Sequence, residues 1–160
     1  MSPTDKVVWF TENEYSKILD GLVIVCVDTV VYDSEGRVLL GLRNKQPIKG
    51  WWIFGGRMRA NESFTEAAKR GLMRELSIRT TQEPKIVGYY DLRWDTREEA
   101  PSSNGCHVLL VAMKYKLDSS ISINQIDSSH EEIRWFSQEE LRSENLNDYL
   151  NSVLKDANLF

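Results

Sequence analysis

GGRMRANESFTEAAKRGLMRELSI, residues Gly55 to Ile78, joins a loop rich in glycine and arginine to a helix with an acid on its apolar side. Ser63-Phe64-Thr65-Glu66 is a capping-box pattern, in which the Ser63 hydroxyl and the Glu66 carboxylate each accept a free amide donor at the helix start. At about 100° per residue, a helix from there sets Phe64, Ala68, Leu72 and Leu76 on one stripe, flanked by Ala67, Gly71 and Ile78. Glu66, Lys69, Arg70 and Arg74 take the opposite or flanking faces. Glu75 falls between Phe64 and Ala68, and a carboxylate aimed into a packed face is costly unless something compensates it. Its partner is either a functional cation or simply Arg79, one turn on. Gly71, on the same side, costs about 1 kcal/mol relative to alanine, so something other than helix stability put it there.

In register, the segment resembles the signature of Nudix hydrolases, G-x5-E-x7-R-E-U-x-E-E-x-G-U with U aliphatic. Gly56, Glu62, Arg70, Leu72, Glu75 and Ile78 match it. Gly71 and Arg74 stand where the family usually has glutamates that bind or support metal, and Ser77 replaces the last glycine. A site with fewer helix carboxylates should hold fewer divalent ions, because hard cations take oxygen ligands and use substrate phosphates for the rest.

A subset of that family, the GDP-mannose mannosyl hydrolases, has a similarly depleted signature, and the flanking residues resemble it too. Leu39-Leu40-Gly41-Leu42-Arg43-Asn44-Lys45-Gln46-Pro47, then Gly50-Trp51-Trp52 and Gly55-Gly56-Arg57, look like its strand, loop and start of the signature. The Gly50 to Gly55 spacing is one residue shorter, and Phe54 stands where proline is usual. Ser129-His130-Glu131-Glu132-Ile133-Arg134-Trp135-Phe136 looks like the segment bearing that subset's catalytic histidine. The likeness runs from about Tyr15 to Leu141.

Composition agrees without deciding anything. At 160 residues the chain suits one domain, residues 1–160, in which 1–20 form an N-terminal extension with a short helix. A net charge of -4 argues against a nucleic-acid partner gripped by a broad basic surface. Cys26 and Cys106 sit in apolar strand-like runs, as reduced buried thiols would, and no zinc pattern accompanies them. The start Met-Ser-Pro-Thr-Asp-Lys lacks the apolar core of a signal peptide, and the longest apolar run, Leu22 to Val27, is too short to span a bilayer. The expectation is a soluble cytoplasmic protein without a membrane partner.

Glu12 to Asp20 reads as a leading helix and Gly21 to Tyr32 as a strand interrupted by Asp28. The turn Asp33-Ser34-Glu35-Gly36 joins that strand to Val38-Leu42 in a hairpin. Trp52-Phe54, Ile86-Trp94, Cys106-Leu117 and Ile133-Phe136 are further strands. Ser137-Gln138-Glu139-Glu140 caps a short helix, and Asn147 to Ala157 forms a last one. This order predicts an α/β (α+β) fold with a mixed β-sheet between helices, which the Nudix resemblance also implies. Asp95 to Gly105, DTREEAPSSNG, reads as the one long stretch that cannot pack, either a mobile lid or a hairpin tip without function.

The resemblance implies Mg²⁺ or Mn²⁺ held by Glu75 and the Gly55 carbonyl, with Arg70 fixing the Glu75 carboxylate. The subset's third ligand is a glutamine before the histidine; here that residue is Ser129, so Ser129 through water, Glu131 or Glu132 would replace it. His130 is the candidate general base, since an unperturbed pKa of roughly 6.5 lets imidazole take a proton from water near neutrality. Arg43 and Arg57 would hold phosphates as charge-assisted donors, Asp28 would contact the sugar, Arg93 would stand near the leaving group, and His107 would touch substrate or serve structure. Trp51 or Trp52 could stack on a base, although packing is the commoner use of tryptophan beside a strand.

The implied reaction is attack of water on the anomeric carbon of a nucleoside diphosphate sugar such as GDP-mannose, releasing GDP and a free hexose. One alternative is a pyrophosphatase attacking phosphorus; another is a catalytically weak nucleotide-binding protein, suggested by Ser129, Ser77 and the shortened loop. The subset's dimeric habit and the apolar Trp9-Phe10 imply a homodimer.

Overall fold

A computed structural model of the chain describes residues 9–119, 121–123 and 127–160. Residues 1–8 of the expected N-terminal extension lie outside the described residues. In chain order the elements are α1 (Glu12–Gly21), β1 (Ile24–Tyr32), β2 (Val38–Arg43), β3 (Gly50–Trp52), β4 (Phe54–Arg57), α2 (Phe64–Leu76), β5 (Lys85–Trp94), β6 (Cys106–Lys116), β7 (His130–Phe136), α3 (Gln138–Ser143) and α4 (Asp148–Asp156). Capping boxes open three of the helices: Thr11 with Glu14, Ser63 with Glu66 and Ser137 with Glu140. Each side-chain oxygen there satisfies an amide that has no partner within the helix.

The seven strands form one mixed sheet. β1 runs parallel to β6 along its whole length, from Ile24↔Val108 to Tyr32↔Lys116. On its other edge it meets β4, from Cys26↔Arg57 to Thr29↔Phe54, and touches β2 only at Val31↔Leu39 and Tyr32↔Val38. The expected hairpin is therefore closed at its turn and forked above it. β2 diverges to pair with β7 on one edge and β3 on the other. The segment expected as one strand, Trp52-Phe54, spans the fork as two: β3 on β2, then Ile53, then β4 on β1.

Period-two alternation sends neighbouring residues of each strand to opposite faces. Val27, Val31, Leu39, Val111 and Met113 pack toward α2, with its Ala67, Ala68, Leu72 and Leu76. Val30, Leu40, Leu110 and Ala112 pack toward α3 and α4, against Leu141, Leu150, Val153 and Leu154. The result is the mixed sheet between helices that the element order predicts.

The stretch from Asp95 to Gly105 does pack, contrary to its composition. Arg97, 1% exposed, donates to Asp20 Oδ1 (2.8 Å), Ser16 Oγ (2.7 Å) and the carbonyls of Glu99 and Gly105. Ser16 Oγ in turn donates to the carbonyl of Ala100 at 2.6 Å. A single buried guanidinium thus gathers enough acceptors to fix a polar loop to α1, against the reading of a lid or a loose tip. Among the described residues no helix is long and apolar enough to cross a membrane.

Candidate active site

The site forms where α2 presses against the fork. Gly71 lets the helix approach: a Cβ there would stand 3.0 Å from Gly55 Cα. Gly55 itself has φ +153°, and a Cβ on it would lie 2.1 Å from the Val27 carbonyl oxygen, so only glycine fits. The close contact brings the Glu75 carboxylate, 2% exposed, to the Gly55 amide, which donates to Oε1 at 3.2 Å.

His130 meets Glu75 from the other side. It opens β7, where it pairs with Arg43 beside a register shift in β2. Its imidazole rests over Gly41, whose absent Cβ would be 2.2 Å from Cδ2. Nδ1 bonds Asp127 Oδ1 at 3.0 Å, and Nε2 lies 3.6 Å from Glu75 Oε2. Both of these facing atoms are buried, and neither has a hydrogen-bond partner among the described residues. Asp127, by contrast, accepts from Ser129 N (3.0 Å) and Ser129 Oγ (2.5 Å).

Burial pushes the Glu75 carboxyl up to about 7, despite the adjacent Arg74 guanidinium. Burial also holds the His130 imidazole below its ordinary value, with Asp127 pulling the other way. For Asp127 itself burial opposes ionisation, but the bonds from Ser129 and His130 prevail and keep its pKa low. The site therefore presents an ionised Asp127, a neutral histidine with one free nitrogen, and a glutamate whose charge lacks full compensation.

Ligand atoms of Glu75, Asp127 and His130 lie within 4.8 Å of one another. The orphaned Glu75 Oε2 and His130 Nε2 face each other at 3.6 Å, and two carboxylates suit a hard divalent ion. The donor set fits the metal implied by the resemblance. Asp127 is absent from the sequence-based ligand set; the signal for it is the pattern Asp-x-Ser, whose carboxylate closes a turn on the amide two residues on.

Several expected residues fall elsewhere. Arg70 does not fix Glu75: its Nε and Nη2 grip Glu62 at 2.5 and 2.9 Å, and Nη2 also donates to the Arg57 carbonyl at 3.0 Å. Five helical positions separate it from Glu75, about 140° around the axis, so it ties down the loop instead. The cation on Glu75 is Arg74, whose Nη2 donates to Oε1 at 2.5 Å, and not Arg79 beyond the helix end. Glu131 and Glu132 are exposed and outside the cluster, while Ser129 serves Asp127.

Behind Gly55, on the opposite side from α2, a cavity is lined by Asp28, Arg43, Trp52, Leu92, Trp94 and Leu110 among others. Asp28 accepts from Trp52 Nε1 at 2.9 Å, and burial pushes its carboxyl up. Arg43 Nε donates to the Ile48 carbonyl at 3.3 Å. Arg57 instead stacks 4.3 Å from the Tyr15 ring and lines an adjoining hollow with Arg59, Arg70 and Arg74. Arg93 and His107 face away from the cavity: they form one cross-strand pair, flanked by the pairs Leu92↔Val108 and Trp94↔Cys106 that line it. Cys26 and Cys106 are free, and burial raises both thiols, which suits inert groups. Trp51 packs edge-on against Phe136 at 4.9 Å, the structural use.

Known proteins share this architecture. The low-salt glycan biosynthesis protein Agl8 of Haloferax volcanii is 30% identical over 135 residues, covering 84% of this chain and 81% of its own. A MutT NUDIX hydrolase from Burkholderia pseudomallei superposes with a TM-score of 0.68 at 22% identity, covering 84% of this chain and 98% of that one. The NUDIX domain of Shewanella oneidensis NrtR, complexed with ADP ribose, gives 0.66 at 16% identity over 93% and 97%. At such identities these two establish the fold alone. The NUDIX domain profile matches residues 23–156, which takes in the forked sheet, the Gly55 loop, α2 and His130. The chain belongs to the Nudix hydrolase family.

Proposed function

We propose that this protein hydrolyses a nucleoside diphosphate sugar by water attack at the anomeric carbon, in the manner of the GDP-mannose mannosyl hydrolases it resembles. The observation that carries the proposal is the Asp127–His130 pair. Asp127 holds Nδ1 and so leaves Nε2, buried and unpartnered, as the one basic nitrogen facing the Glu75 carboxylate. A neutral imidazole oriented in this way takes a proton from water, which then adds to the sugar carbon as the bond to the diphosphate breaks. Glu75 and Asp127 would hold the divalent ion, which when bound offsets charge developing on the leaving diphosphate.

Gly71 and Arg74 support carbon attack, because they leave the helix without the acids that a second ion would require. Arg43 and Asp28 both line the cavity behind Gly55, which supports assigning them to phosphate and sugar. The name of the Haloferax relative, in glycan biosynthesis, agrees with a sugar-bearing nucleotide. The exposed Trp9 and Phe10, 74% and 45% accessible, would lie at the homodimer contact.

Hydrolysis of GDP-mannose in ¹⁸O water tests the reaction. Label in the hexose is expected; label in a phosphate establishes attack at phosphorus instead. The close spacing of Glu75, Asp127 and His130 favours one second reading, in which His130 is a third metal ligand. Under the leading reading a His130→Asn variant keeps its Mn²⁺ affinity and loses turnover. Under the second it loses both.

A further inference from the structure

The position beside Glu75 holds a cation where the family signature carries an anion. Arg74 Nη2 donates to the Gly55 carbonyl oxygen at 2.7 Å and to Glu75 Oε1 at 2.5 Å. Its Nε stands 3.9 Å from Asp127 Oδ2. One nitrogen thus bridges two oxygens that a divalent ion would otherwise use. Gly56 leaves room for it, since a Cβ there would lie 3.3 Å from Nη2. The two hydrogens on one guanidinium nitrogen suit two acceptors held side by side, here the Gly55 carbonyl and the Glu75 carboxylate. The opposite side of the same carboxylate, Oε2, remains without a partner and faces His130.

We propose that Arg74 is a resident cation of this centre, occupying the Gly55 and Glu75 Oε1 positions, so that the site accepts at most one divalent ion and binds it weakly before substrate arrives. The inference rests on Glu75 being a metal ligand, as the proposed function has it. Two effects act together. Arg74 takes the Gly55 carbonyl out of the ligand set, and its charge repels an incoming ion across a few ångströms of partly dry protein, where such repulsion is far stronger than in water. Its side chain is 46% exposed, so truncation opens the position to water without hollowing the core.

Titration of the full chain with Mn²⁺ alone, followed by the electron paramagnetic resonance of the free ion, tests this without turnover or nucleotide. Arg74→Ala and Arg74→Gln should each bind Mn²⁺ about tenfold or more tightly than the native chain, while Arg74→Lys stays near the native value. Equal affinity and stoichiometry in the native, alanine and glutamine proteins overturns the inference, as does a lysine variant that binds as tightly as alanine. The glutamine variant removes the charge while keeping a polar side chain at a half-exposed position, and so serves as the second neutral variant should alanine fail to fold. Glu75→Gln separates the two claims. Retained Mn²⁺ binding in that variant defeats the metal reading itself; lost binding, with no gain on removing Arg74, defeats only the role given to Arg74.

Discussion

Both histidines of this chain pair with an aspartate, yet only one keeps a buried ring nitrogen without a partner among the described residues. His107 bonds Asp91 through Nε2 at 2.6 Å with its side chain 37% exposed, and the same aspartate also holds Arg93 at 3.0 Å. His130 bonds Asp127 through Nδ1, is sealed from solvent, and keeps Nε2 free against a second buried carboxylate. The pairing is common to both; the difference lies in which nitrogen is used and what surrounds the other. A basic nitrogen becomes useful when a neighbour fixes the ring and leaves that nitrogen facing the place where water must react.

The largest test of this contrast removes the free nitrogen. His130→Asn should lower nucleotide-sugar hydrolysis by roughly 10²–10⁴-fold, the usual worth of a positioned general base. An undiminished kcat would show that Nε2 takes no proton. Asp127→Asn comes next, at about 10–100-fold, because the ring loses its orientation and the charge that favours its protonated form. The sign of the accompanying shift is set: without the Asp127 anion, the His130 pKa falls further, so the acid limb of the kcat profile moves to lower pH. A profile that stays in place would make Asp127 a turn residue only.

Much of this arrangement can be read in the chain because it is local. The cap at Ser63, the stripe from Phe64 to Leu76 and the misplaced acid Glu75 lie within one helix, and the periodicity of a helix is visible in its own residues. The fork between β1 and β2 is not local: it depends on β4 and β6 claiming the edges of β1, contacts between distant segments that no short window contains. Asp127 is hard to read from the chain for a related reason, since a turn aspartate gains its meaning only when β7 brings His130 against Glu75. Arg70 and Arg74 show the limit within the helix itself. Register with the signature points to Arg70, but its place about 140° around the helix from Glu75 and the gap above Gly56 decide in favour of Arg74. For Asp95 to Gly105, composition misleads because one of its own charged residues, Arg97, is buried and finds acceptors on α1, at Asp20 and Ser16, outside any short window.

Glu75 sharpens the contrast from the acid's side. Its folded pKa of about 7 exceeds the ordinary 4.5, so the native state binds this proton more tightly than the unfolded chain does. Its contribution to stability is therefore present below pH 4.5, declines as pH rises through 7, and is lost above that. In EDTA, Glu75→Gln should flatten this decline and stabilise the protein by on the order of 3 kcal/mol at pH 8, with the gain fading toward pH 4. Urea melts across that range would expose an error: a variant no more stable at pH 8 than at pH 4, relative to the native chain, means that Arg74 compensates the buried charge in full.

The smallest effect should come from His107, and that smallness carries information. Arg93 and then His107 hold the Asp91 carboxyl below its usual range, and all three groups reach water on the face of β5 and β6 turned away from the cavity. Exposed pairs of this kind are screened by solvent and add little to a fold. His107→Asn should therefore change kcat/KM by less than about twofold and leave the melting temperature where it was. The sequence-based reading sets Arg93 near the leaving group and leaves His107 either touching substrate or serving structure, and strand alternation turns both to the face away from the cavity. A large loss of activity in His107→Asn, with the melting temperature unchanged, would mean that substrate reaches around the edge of the sheet at Trp94 and Cys106, and that the two histidines of this chain share one reaction after all.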